Sequence, residues 1–127
     1  MLAPLGDVTV EDLVRDDDRR IRLRAQPPGH GLPSTTVFEY RERYRRVAGG
    51  WLRERYLYEY RPHRTRERRA HHDHPPLGLH QHCRSMSATE TGHYADRMRL
   101  LEEVHEEFSL LYLTAAPIDC AGLLPLT

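Results

Sequence analysis

Between Arg68 and Cys83 the chain reads RRAHHDHPPLGLHQHC, five histidines, one aspartate and one cysteine in sixteen residues. Three chemistries suit such a run. Neutral imidazoles are ligands for zinc and its neighbours. A pair of imidazoles can share the acid and base roles of phosphodiester cleavage. A solvated, histidine-rich surface loop is the third.

The spacing bears on the first two. His72 and His74 are two residues apart, as are His80 and His82. On strands each pair points to one side, and a turn at Pro75–Gly78 would bring the pairs face to face. A zinc site would then take its ligands from among His72, His74, His80 and His82, and Asp73 or Cys83 could complete the tetrahedron. No HExxH or paired-cysteine zinc signature is present. Cleavage of RNA needs no metal: two imidazoles act on the 2′-hydroxyl and the leaving oxygen, and guanidinium groups hold the phosphate. Arg68, Arg69 and Arg84 flank the histidines, and Arg61, His63 and Arg64 extend the same field. His30, His93 and His105 fall at loop, pre-helix and helix positions and are read as bystanders.

The charge pattern points the same way. The net charge is zero, yet Arg41–Arg69 holds eleven arginines and the C-terminal part leans acidic. The asymmetry suits phosphate or an oppositely charged partner. All 19 basic side chains are arginine, with no lysine and no asparagine. A codon bias would give the same composition, with the arginines forming a solvated face. Two cysteines are too few for a disulfide framework, and Cys120 reads as structural or incidental. No signal peptide or membrane-length apolar run is visible, so a cytoplasmic protein is expected.

The elements that must position these residues are mostly strands. Residues 1–19 are weakly patterned, with Thr9 able to cap a helical turn through VEDLV. RIRLRA, Arg20–Ala25, alternates as a half-buried strand, and Gln26–Pro33 is a loop by composition. From Thr35 to Arg61 a β-hairpin turns at Gly49-Gly50. Phe38, Tyr40 and Tyr44 share one face; Leu52, Tyr56, Tyr58 and Tyr60 share another. Arg41, Arg43, Arg45, Arg53 and Arg55 fall on the opposite parity, and Trp51 is either a turn residue or a stacking platform. Tyr94–Tyr112 is an amphipathic helix capped by Thr89 or Thr91. The expected fold is a single α+β domain over residues 1–127, a small antiparallel sheet covered by the C-terminal helix. One helix leaves aromatic sheet surface uncovered, which predicts a homodimer or another protein partner.

Tyr58, Tyr60, Arg68 or Arg69, His71, His72, His80 and His82 form a pattern that resembles the TumE-type toxins of bacterial toxin–antitoxin pairs. The likeness spans roughly residues 36–84. It departs from the family pattern at RRAHHDH, which has no asparagine and no proline directly before the histidine pair, and at LHQH. The resemblance implies a cognate antitoxin and an action on RNA or translation. The resulting expectation is a metal-independent, ribonuclease-like toxin without a cofactor. His72 and His82 would be the acid–base pair and His71 and His80 orienting or alternate members. Arg68, Arg69, Arg84, Tyr58 and Tyr60 would contact the substrate. The alternatives are a zinc-binding histidine cluster and a non-catalytic module that binds RNA or protein.

Overall fold

In the computed structural model, residues 7–26, 36–62 and 66–126 are described. His30 and His63, Arg64 and nearly all of the Gln26–Pro33 loop lie outside them. Seven strands follow in chain order: β1 (Asp7–Arg15), β2 (Asp18–Gln26), β3 (Val37–Val47), β4 (Gly50–Arg61), β5 (Arg68–His74), β6 (Gly78–Arg84) and β7 (Gly92–Ala95). Each pairs antiparallel with the next, in the order β1-β2-β3-β4-β5-β6-β7. One helix, α1 (Leu101–Thr114), packs on the sheet. The expected α+β architecture is therefore present.

The alternation of side chains explains the two faces. Phe38, Tyr40, Tyr58 and Tyr60 are buried with Val104 and Phe108 of α1. Phe108 stacks on Tyr60 with ring centroids 5.7 Å apart, and the Tyr40 hydroxyl meets His105 Nδ1 at 2.8 Å. His105 is thus a core residue. The other face carries three cross-strand rows. The middle row runs Glu11, Arg22, Arg41, Leu57, His72, His80, Ala95 across all seven strands. Below it run Thr9, Arg24, Glu39, Glu59, Ala70, His82 and His93. Above it, Leu13, Arg20, Arg43 and Arg55 follow one another.

Four local readings are corrected. The N-terminal segment is strand, not a helical turn: Val8 to Val14 pairs with β2, and Asp16 takes the left-handed conformation (φ 53°) in the turn, which a short polar side chain tolerates. Second, the pairing of β3 with β4 shifts between Arg43 and Tyr44, so that Arg43 opposes Arg55 but Tyr44 opposes Arg53. A bulge of this kind swaps the parity beyond it. Arg53 consequently lies on the aromatic side, where it bonds the Tyr58 hydroxyl at 2.7 Å, and Leu52 is left exposed. Third, the helix begins at Leu101, not Tyr94. Tyr94 opposes Gln81 in the sheet, Thr89 and Thr91 precede β7, and the Arg99 amide donates to the Tyr56 hydroxyl at 3.0 Å. Fourth, the cysteines are bonded to each other, Cys83 to Cys120. The bond ties β6 to the C-terminal tail and removes Cys83 from any ligand set. Disulfides persist in oxidising surroundings, so the bond lends no support to the expected cytoplasmic location. Among the described residues no helix is long and apolar enough to cross a membrane.

The tail also guards one sheet edge: the Ala95 amide donates to Leu124 O at 2.8 Å and the Leu126 amide to His93 O at 3.3 Å. At the opposite edge, among the described residues, β1 has a strand on one side only, and Val10, Leu13 and Val14 are exposed. Trp51 sits beside the β3–β4 turn with the Arg46 guanidinium 4.4 Å from its ring centroid.

Candidate metal centre

The β5–β6 hairpin builds the centre. His72 and His80 are register partners, and His74 opposes Gly78 at the turn. Ring centroids lie 4.3 Å apart for His72–His74, 4.9 Å for His72–His80 and 5.3 Å for His74–His80. One ligand nitrogen from each of these three lies within 4.8 Å of the others. This overturns the expectation of no cofactor: the structure contains a three-imidazole group of metal-binding type. The pairs face each other because the turn sets His72 opposite His80; the spacing alone left that open.

The imidazoles are oriented one by one. His74 Nδ1 lies 2.6 Å from Pro75 O, and His80 Nδ1 lies 2.8 Å from Gly78 O. A carbonyl oxygen only accepts, so each Nδ1 donates and each Nε2 is left with its lone pair. His80 Nε2 is buried and has no hydrogen-bond partner. His72 Nδ1 lies 3.3 Å from His82 Nε2. His74 and His80 thus have Nδ1 donating and Nε2 available, the arrangement in which second partners hold metal-bound histidines; in the His72–His82 contact either ring can carry the proton.

Burial favours the neutral form of His72, His80 and His82. It lowers His72 to about 3, helped by the neighbouring His74, His82 and His80 and by Arg68. It lowers His82 to about 4, helped by Arg68 and by His93, His80 and His74. Burial also lowers His80, against the opposing bond to Gly78. At neutral pH His72 and His82 are therefore in the ligand form; a general acid needs the protonated form.

The other expected site residues separate by face. His71 is on the helix side, one residue and one pleat away from His72. It lies between Asp96 (Nδ1 to Oδ2, 2.7 Å) and Glu107 (Nε2 to Oε1, 2.6 Å), fully buried. Burial alone would raise the Asp96 carboxyl, but the bonds from His71 and Arg99 outweigh it and hold it at about 2. Arg69 shares this face and pairs with Glu107 at 3.4 Å. Tyr58 is buried and donates to Glu42 at 2.5 Å; Tyr60 is buried in the aromatic core. Arg68 remains near the histidines, paired with Glu59 at 3.1 Å. Arg84 donates to the Arg66 carbonyl. Asp73 is in register with Leu79 rather than with a histidine.

His93 joins the cluster although sequence placed it before a helix. It opposes His82 across β6 and β7, with ring centroids 4.4 Å apart. The available signal was the short alternation from Gly92 to Ala95, masked by the stronger helical pattern that follows. No family model matches the chain, and no curated protein or solved structure matches it.

Proposed function

We propose that the protein binds a zinc-class divalent ion through His72, His74 and His80. The observation that supports this best is the gathering of three imidazoles with one ligand nitrogen each within 4.8 Å, two of them, His74 and His80, held at Nδ1 by a carbonyl so that Nε2 is left as the ligand atom. Nitrogens on a tetrahedral zinc at ~2.0–2.1 Å lie about 3.3 Å from one another. Modest rotation of the side chains closes the present spread of 4.8 Å to that separation. His82 acts as the partner that fixes His72, not as a ligand. Three neutral donors leave the net charge of the ion and a further coordination position for water or substrate, the composition of a catalytic zinc centre rather than a closed structural one. Such an ion would supply Lewis acidity or an activated water.

The test is the metal content of tag-free protein purified without nickel. Stoichiometric zinc, lost in His74→Ala and His80→Ala but retained in His105→Gln, is the expected result. Cobalt-substituted protein should show the visible absorption of tetrahedral nitrogen ligation. Folded protein that takes up only sub-stoichiometric, freely exchanging metal would refute the reading. RNA cleavage by metal-free protein, abolished by His72→Ala, would instead assign the cluster to acid–base chemistry and revive the toxin-like function.

A further inference from the structure

We infer that the groove beside the histidine centre takes a small organic oxyanion with an apolar body, anchored by Arg55. The inference rests on the metal reading only for the ligand's second contact, at the ion.

The groove has a volume of about 450 Å³ and lies on the sheet face opposite α1. That is within the ~300–1,000 Å³ range of small-molecule sites. His72 and His74, two of the three proposed ligands, form part of its wall. Leu13 and Leu57 supply apolar surface, and the five arginines of the wall outnumber its two carboxylates, Glu11 and Glu42.

The arginines are not equivalent. Arg22 and Arg41 both pair with Glu39, at 2.7 and 3.3 Å. Arg20 and Arg43 both pair with Asp18, at 3.1 and 3.0 Å. Arg55 alone in the groove has no carboxylate partner among the described residues. It is directly opposite Arg43, whose own charge is balanced by Asp18 and Glu54. An anion at Arg55 gives this guanidinium the partner that its neighbours already have and matches its fork with two oxygens. Arg55 is on β4, whose residue Leu57 is the register partner of His72. Neighbouring strands are ~4.8 Å apart, so a molecule of benzoate size spans the distance from the guanidinium toward the histidines, its ring against Leu57. Carboxylates and phosphonates share the required chemistry.

Benzoate, phenylphosphonate and the neutral benzamide are the probes, titrated calorimetrically into zinc-supplemented full-length protein, with zinc content measured on the same samples. Either anion should bind and benzamide should not. Arg55→Gln should weaken the anion about tenfold or more without changing zinc content, and Arg46→Gln should leave both unchanged. Preference between the two anions identifies the oxyanion. Anion binding that depends on Arg55 supports the groove even if zinc is absent, in which case only the metal reading fails. Zinc-loaded protein that binds neither anion overturns the groove and leaves the metal reading standing. Binding of benzamide as tight as benzoate, or an undiminished Arg55→Gln variant, also overturns it. A poly-uridine oligonucleotide that binds more tightly than either anion, and needs Arg55, overturns the small-molecule assignment in favour of a nucleic acid backbone.

Discussion

Replacing Asp96 by asparagine removes the charge that clamps β5 to the residues leading into α1. Its carboxylate accepts from His71 at 2.7 Å and from Arg99 at 2.7 Å, and its side chain is 1% exposed. The folded-state value of about 2 compares with an ordinary 3.8. A carboxyl lowered in the folded state stabilises it above the unfolded value and loses that contribution as pH falls through the folded one. At ~1.4 kcal/mol per unit, the shift is worth about 2 kcal/mol at pH 7, about 1 at pH 3, and only a few tenths at pH 2. Asp96→Asn should therefore lower the unfolding free energy by about 2 kcal/mol at pH 7, and the gap between the two proteins should shrink as pH is lowered toward 2. Urea unfolding of both proteins at several pH values between 2 and 7, without added metal, measures it. A gap that stays constant over that range would refute the electrostatic account and leave only a packing effect. A gap near zero at pH 7 would refute the clamp itself.

The Cys83–Cys120 bond closes a separation of 37 residues, for which chain entropy gives about 4 kcal/mol. Cys120→Ser should lower the denaturant midpoint accordingly, and reductant should bring the unaltered protein to the same level while leaving the variant unmoved. Tyr58→Phe leaves the half-buried Glu42 and Arg53 one hydrogen-bond partner short; a loss of about 1–3 kcal/mol is expected, with zinc content unchanged if the phenol is structural. Phe108→Ala should cost about 3–5 kcal/mol by thermal or denaturant unfolding, because the ring is fully buried against Tyr40, Tyr60 and His71. We also propose self-association through the β1 edge; Leu13→Lys should shift light scattering toward the monomer, and a chain that is monomeric without the substitution would refute it.

Sequence by itself determined the elements whose information is local. The alternation of RIRLRA and of Phe38 to Tyr60 specifies strands, because a pleat repeats every two residues. Gly49-Gly50 marks the turn, and the apolar spacing read over Tyr94–Tyr112 specifies a helix, although it places the start seven residues too early. The two His-x-His pairs were legible as a candidate site for the same reason: period two puts each pair on one side. Tertiary structure decided what depends on pairing between distant segments. The register of β5 against β6 sets His72 beside His80, and the same pleat carries His71 to the other face, into a carboxylate clamp formed by residues 25 and 36 positions away. The bulge opposite Arg43–Tyr44 reverses Arg53 without any signal in residue type. Gly92–Ala95 became a strand because β6 offered an unpaired edge, which brought His93 to the cluster. The Cys83–Cys120 bond likewise depends on the tail returning to β6. In each case the deciding quantity is which backbone groups pair across the sheet, a property of two segments together that neither carries alone.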